Sequence, residues 1–165
     1  MKTQFFIWAL LALHLSGLVL MAGTTVIDYV TFKTFWKLTD EGDNRFLGLL
    51  PLMARYGTFV RTGVALLILS GIGMLILSKD IWWQQCWFKV KMGLVALLIL
   101  NGIFIGNKQA SKFRKIIADN GPDFINQAKH VKSTLNNFYL IQLMIFFAII
   151  LTSVLAFTRE REFIF

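Results

Sequence analysis

Residues 5–27 read FFIWALLALHLSGLVLMAGTTVI, and the fold of the chain is decided by this stretch and others like it. It contains no Lys, Arg, Asp or Glu, and His14 is its only titratable side chain. A helix of about 20 apolar residues rises about 30 Å, which is the thickness of the hydrocarbon core of a bilayer. The stretch therefore predicts a membrane-spanning helix with one ionisable group inside it.

Three further stretches are long and apolar enough to cross a bilayer, at about 58–77, 87–106 and 138–157. Because a lipid core offers the backbone no water to bond to, spanning segments must be helices. Four such helices with short connections predict an all-α fold, an integral membrane antiparallel four-helix bundle. We expect one transmembrane domain over residues 1–165. The 56% hydrophobic content excludes an ordinary soluble domain.

The net charge of +8 is explained by membrane topology, because Lys and Arg concentrate in cytoplasmic connections. The first and third connections hold ten basic residues, against five on the other side. The ten are Lys33, Lys37, Arg45, Arg55, Lys108, Lys112, Arg114, Lys115, Lys129 and Lys132. This distribution predicts that both termini face outward. It makes the lipid bilayer the expected partner, and we expect no nucleic-acid partner.

The first apolar run, preceded by Lys2, also resembles a secretory signal peptide. The run is longer than the apolar part of a typical signal, and Leu20 and Ala22 make a poor cleavage site. We therefore expect it to be a retained helix.

His14 is the first candidate site residue, since it lies about 14 Å inside its helix, near the middle of the bilayer. An ionisable group at that depth should face protein or a ligand. One interpretation is a buried histidine bonded to a Ser, Thr or Asn of another helix, with Asn101 as a plausible partner. The other is a haem ligand, which needs a neutral imidazole nitrogen directed at a flat apolar ligand. We expect Met21, on the same face, to be packing.

Two basic residues lie just inside predicted helices. Arg61 lies about one turn inside the second helix, and Lys91 lies near the start of the third. Either side chain can extend to the lipid headgroups or bind an anionic group of a buried ligand.

The third connection alternates charged and apolar residues. Phe113, Ile116 and Ile117 fall on one helical face, so the third helix is expected to continue as a basic amphipathic helix lying on the membrane. The sequence Asn120-Gly121-Pro122 should end it. His130, further along, is expected to be a solvated surface histidine.

Three motifs carry a resemblance to a protein family: His14-Leu15-Ser16-Gly17, the arginine-led second helix from Arg55 to Gly73, and Trp87-Phe88-Lys89-Val90-Lys91. With these motifs the chain resembles a group of small bacterial four-helix membrane proteins. The group includes the HemJ-type protoporphyrinogen oxidases and the membrane part of CopD-type copper-resistance proteins. The resemblance implies a bacterial inner-membrane location and, for HemJ-type proteins, a b-type haem with His14 as its metal ligand and Lys91 as a functional lysine. Where HemJ-type third helices usually carry a Tyr-His pair, this chain has Asn101-Gly102.

Three functions are therefore expected. The first is binding of one b-type haem or porphyrin by His14, Arg61, Lys91 and Asn101, for a redox role in haem metabolism or electron transfer; the chain would then be a haem-dependent oxidoreductase. The second is a structural or assembly subunit without a cofactor, and the third is copper or small-solute transport. A homo-oligomer or a membrane redox partner is compatible with each.

Overall fold

The structure, a computed structural model, describes residues 2–78, 85–118 and 124–162. Within these ranges the backbone is helical apart from short turns and contains no strand. The α-helices are α1 (Lys2–Asp40), α2 (Leu50–Leu77), α3 (Cys86–Asn101), α4 (Lys108–Ala118) and α5 (Phe124–Glu162). A 3₁₀ segment, Asn44–Leu49, precedes α2, and a π-helical segment, Gly102–Asn107, joins α3 to α4. The all-α, four-helix fold class is confirmed.

Four helical stretches are long and apolar enough to cross a membrane: Gln4–Asp40, Asn44–Leu77, Cys86–Phe113 and Val131–Ala156. Each overlaps one of the predicted spans. The helices extend beyond the predicted segments because hydropathy marks only the apolar part of a helix, whereas its backbone hydrogen bonds continue into polar sequence. The chain has the helices of a multi-pass membrane protein.

Large apolar side chains lie on the outer surface of these helices. Val19 and Ile76 in the first half of the chain are strongly exposed, as are Met144 and Phe147 in the second. Several residues on the inner faces are small or polar, among them the buried Ser70. This distribution suits a lipid environment, since a soluble protein rarely exposes so much contiguous apolar surface.

The chain divides into two compact units, Met1–Trp82 and Trp83–Phe165. The predicted single transmembrane domain stays a prediction. In the first unit α1 and α2 are antiparallel, because Leu10, His14 and Thr31 of α1 contact Gly73, Ser70 and Tyr56 of α2, in reverse order. In the second unit α3 and α5 are antiparallel for the same reason, since Asn101 contacts Gln142 and the next turn contacts Phe138.

The first unit depends on a backbone contact between α1 and α2. A Cβ atom added at Gly63 would lie 2.9 Å from the carbonyl oxygen of Gly17 and 2.8 Å from the amide nitrogen of Met21. A Cβ added at Gly17 would in turn lie 3.0 Å from the carbonyl oxygen of Gly63. The two glycines therefore let the helices touch through their backbones, as small residues do in membrane helix pairs. Met21 is buried at this contact, so its predicted packing role is confirmed.

The connection after α1 is a compact turn. Gly42 has φ +70°, and the amides of Gly42 and Asp43 donate to the carbonyls of Thr39 and Leu38, which is a Schellman termination of α1. Asp43 then accepts hydrogen bonds from the backbone and side chain of Arg45 at the start of the 3₁₀ segment. The side-chain bond from Arg45 holds the pKa of the Asp43 carboxyl below its usual range. This turn fixes the direction in which α2 leaves α1.

The second unit packs α4 against α5. Phe113 of α4 is buried, as are Val131 and Leu135 of α5, and α4 packs against α5. Ile116, on the same predicted face as Phe113, is partly exposed. The helix continues through Ala118 as expected, and its position on the membrane stays a prediction. Its predicted end, Asn120-Gly121-Pro122, lies outside the described residues.

Substitution of Gly63 by Ala should destabilise the protein. The added methyl group meets backbone atoms that cannot move independently, and overpacking of this kind costs about 1–3 kcal/mol. Gly71→Ala is the matched control, because its Cβ would lie at an ordinary 3.6 Å from Cε1 of His14. Thermal unfolding in detergent, followed by circular dichroism, should show a lower Tm for Gly63→Ala alone. Equal melting of the two variants would contradict the backbone contact.

Candidate functional site

His14 of α1 and Ser70 of α2 form a hydrogen-bonded pair between the two helices. Nδ1 of the imidazole lies 2.9 Å from Oγ of Ser70. Ser70 is completely buried, and His14 is partly buried. His14 lies one helical turn from Gly17 on α1, and Ser70 lies two turns from Gly63 on α2, so the close approach of the helices brings the short serine side chain within reach of the ring.

The hydroxyl of Ser70 determines which imidazole nitrogen carries the proton. Oγ of Ser70 lies 2.5 Å from the carbonyl oxygen of Leu66, and two oxygens this close share a proton. A serine hydroxyl has only one proton, so toward His14 it acts as an acceptor. Nδ1–H of His14 therefore donates to Ser70, and in the neutral ring the lone pair belongs to Nε2.

The imidazole ring of His14 packs closely against α2. A Cβ at Gly71 would lie 3.6 Å from Cε1 and 3.9 Å from Nδ1 of His14, which is ordinary van der Waals contact. One turn away at Gly17 and two turns away at Gly63, the space beside each glycine is filled by the backbone of the opposite helix. These glycines do not open a slot for a flat ligand between α1 and α2. A macrocycle at His14 would have to approach from outside the packed interface between α1 and α2.

Arg61, a predicted ligand-binding residue, is exposed on α2. Its Nε donates to the carbonyl oxygen of Gly57 at 3.1 Å, and its Nη2 lies 3.4 Å from Oγ1 of Thr58. The guanidinium therefore folds back onto its own helix. Arg61 precedes Ser70 by nine residues, about 13 Å along the helix axis, so the structure does not bring it to the imidazole.

Asn101, the predicted partner of His14, is hydrogen-bonded to a different residue. Its Nδ2 donates to Oε1 of Gln142 at 2.7 Å, which joins α3 to α5. Gln142 is buried, and Asn101 is partly buried. The expected His14–Asn101 bond stays a prediction, and the structure shows two pairs, His14–Ser70 in the first unit and Asn101–Gln142 in the second. Each satisfies a polar group inside an apolar span with a partner in its own unit.

The remaining candidate residues lie apart from these pairs. Lys91 is partly buried on α3, about three turns before Asn101. The side chain of His130 lies outside the described part of the chain. Among the described residues there is no group of three or more His, Cys, Asp and Glu side chains that could hold a metal ion. His14 remains the metal-ligand candidate as a single residue.

Two hydrogen-bonding partners, Ser70 and Gln142, are visible in the sequence only as polar interruptions of apolar helices. The sequence alone assigned neither of them a partner. A usable signal existed, because a polar side chain inside a span needs a polar partner on another helix. The sequence does not contain the register between packed helices, and this register decides which polar residues come into contact.

The fold and the polar pairs define a class: an all-α chain with four potential membrane spans and a histidine held between two of them. No family model, curated protein or solved structure matches this chain. The resemblance to the HemJ-type and CopD-type group therefore stays a prediction, resting on the motifs around His14, Arg55 and Lys91.

Replacement of Ser70 by Ala should release the imidazole from its fixed tautomer. The interhelical hydrogen bond contributes about 1 kcal/mol of stability. Without the serine acceptor, the Nδ1–H tautomer is no longer stabilised over the Nε2–H tautomer. ¹⁵N spectra of histidine-labelled protein should show the Nδ1–H form of His14 in the wild type and a shift toward Nε2–H in Ser70→Ala. Ser78→Ala is the control, because Ser78 makes the same bonds to carbonyls three and four residues back. An Nε2–H form in the wild type would contradict the proton assignment.

Proposed function

We propose that this chain is a multi-pass membrane protein that binds one b-type haem or porphyrin through His14, for a redox role in haem metabolism or electron transfer. The observation that supports it is the hydrogen bond from His14 to Ser70. A haem-ligating imidazole coordinates through one nitrogen while the other is held by a hydrogen-bond acceptor, which fixes the ring orientation and strengthens the ligand. Ser70 supplies that acceptor at Nδ1.

The residues of the chain fit such a ligand in part. His14 would hold the iron, and Arg61, about 13 Å from Ser70 along α2, stays a predicted partner of a propionate group. Lys91 and Asn101 belong to the second unit, and their predicted roles toward a propionate group and the polarity of the pocket stay predictions from the sequence. Because the backbones of α1 and α2 touch at Gly17 and Gly63, the macrocycle would lie on the side of His14 that faces away from this interface. When bound, the haem would supply a redox-active iron.

The absorption spectrum of the purified protein tests this proposal. Protein from haem-replete cells should show a Soret band that is lost in His14→Ala and weakened or shifted in Ser70→Ala, because the ligand loses its orienting partner. His130→Ala, which removes the other histidine, is the matched control and should keep the band. A colourless wild-type protein, or a band unchanged in His14→Ala, would contradict ligation by His14.

A second function is favoured by a different observation. His14–Ser70 and Asn101–Gln142 each join two helices, which is what a cofactor-free structural or assembly subunit needs from its buried polar groups. In that case the protein is colourless, and Ser70→Ala lowers its stability without any spectral consequence. Copper or small-solute transport, a homo-oligomer and a membrane redox partner stay predictions from the sequence.

We also propose a location in the bacterial inner membrane with both termini outside. The support is the excess of Lys and Arg in the first and third connections.

Reporter fusions at both termini test this orientation. A reporter that is active only outside the cytoplasm should be active at each end, and a cytoplasmic reporter should be silent at both. A fusion after Gly42, in the first connection, is the internal control and should give the opposite pattern. Active cytoplasmic reporters at the termini would reverse the topology.

A further inference from the structure

Arg61 is the last charged residue before a long uncharged stretch of α2. Residues 62–77 contain no Lys, Arg, Asp or Glu. As a helix these residues rise about 24 Å, which is most of the thickness of a hydrocarbon core. The sequence of α2 therefore places Arg61 at one end of the apolar part of this helix.

The packing of α1 on α2 places Arg61 near the same boundary on α1. Met21 contacts Gly63, so Arg61, two residues before Gly63, is level with Gly23. The uncharged part of α1 ends four residues later, at Ile27. A helical side chain points toward the N-terminus of its own helix, and on α2 this direction leads out of the apolar region. The charge of Arg61 is therefore carried toward the headgroup level although its Cα lies within the apolar part of the hairpin.

The guanidinium of Arg61 is held in this direction by α2 itself. Nε donates to the carbonyl oxygen of Gly57 at 3.1 Å, and Nη2 lies 3.4 Å from Oγ1 of Thr58. Arginine has five N–H donors, so three remain, including both on Nη1. A Cβ at Gly57 would meet no atom within 4 Å, so the space beside the guanidinium is open. Several donors of an oriented guanidinium therefore lie beside an open surface.

Arg61 makes no ion pair within the part of the chain that the structure describes. Asp28 of α1 is about level with Thr58, but it does not lie within ion-pair distance of Arg61. Arg45 differs in this respect, because its guanidinium pairs with the carboxylate of Asp43. The guanidinium of Arg61 is therefore available to an anion from outside the chain.

An apolar stripe continues from Arg61 along the same face of α2. Ala65, Ile68, Ile72 and Ile76 follow at spacings of four, three, four and four residues, so they lie in line with Arg61. All four are exposed. From Arg61 to Ile72 the stripe is about 16 Å long, which is about half the thickness of a hydrocarbon core and so the length of one acyl chain. The face thus has a cationic end followed by an apolar track.

We propose that Arg61, with Thr58 beside it, binds the phosphate group of an anionic phospholipid whose acyl chain lies along the stripe from Ala65 to Ile72. A guanidinium suits a phosphate because its N–H groups can donate to two of the phosphate oxygens. A soluble phosphate would use only the cationic end of this face, whereas a phospholipid uses both parts. Arg55, which is also exposed, favours an anionic headgroup over one that carries an ammonium group. The proposal does not depend on a haem at His14.

Lipid titration of the full-length protein in mild detergent tests this proposal. Phosphatidylglycerol and phosphatidylcholine with the same acyl chains are titrated separately, and bound lipid is counted by native mass spectrometry. The wild type should prefer phosphatidylglycerol. Arg61→Gln should bind phosphatidylglycerol about fivefold more weakly, which corresponds to about 1 kcal/mol for one basic residue at a lipid surface. Equal binding of the two lipids by the wild type would overturn the proposal.

Arg45→Gln is the matched control, because it makes the same change in net charge in the same unit at an exposed arginine that is already paired with Asp43. It should keep the wild-type affinity for phosphatidylglycerol, and equal losses in the two variants would overturn the proposal. Glycerol phosphate, which has the phosphate without acyl chains, is added as a competitor and should not displace the lipid. Displacement at comparable concentration would assign Arg61 to a soluble phosphate and overturn the lipid assignment.

Discussion

The backbone contact between Gly17 and Gly63 is the constraint on which the first unit depends. It sets the distance between α1 and α2, and at that distance a side chain as short as serine reaches the imidazole of His14. A larger residue at either position would separate the helices, and the His14–Ser70 hydrogen bond, one turn from Gly17 and two turns from Gly63, would lengthen with them. The two glycines are therefore used for helix packing, and the polar pair is a consequence of that packing.

Both units hydrogen-bond the polar side chains inside their apolar helices in the same way. A polar side chain within an apolar span is costly unless it is hydrogen-bonded, and each unit contains a pair that meets this requirement across an antiparallel helix hairpin. In the second unit the pair precedes a π-helical segment, Gly102–Asn107, and the ring of Phe138 lies over Gly106. The α1–α2 pair and the α3–α5 pair thus each combine a close contact at a glycine with a buried hydrogen bond.

The sequence predicts the positions of the helices well, but it predicts poorly which residues of different helices contact one another. The four spans follow from hydropathy because a run of apolar residues in lipid has few alternatives to a helix. The ends of α1, α2 and α5 were misplaced because a helix continues through polar sequence when other elements pack on it, as the aromatic residues Phe35 and Phe46 do. His14 was expected to meet a polar residue of another helix, but the choice between Ser70 and Asn101 depends on register, which hydropathy does not contain. The environment of α4 is not decided by its sequence for a related reason: the same amphipathic pattern suits a lipid surface and a neighbouring helix.

The single proton of the Ser70 hydroxyl links the two proposed functions of His14. Because that proton is used by the Leu66 carbonyl, the imidazole must donate from Nδ1, whether the purpose of the bond is to join helices or to orient a ligand. A histidine needed only to tie α1 to α2 would serve equally well in the opposite tautomer with a donor as its partner. The serine instead imposes the tautomer whose basic nitrogen is Nε2, which is the form of the ring that the proposed metal ligation needs. The helix contact and the candidate chemistry are therefore produced by one hydrogen bond.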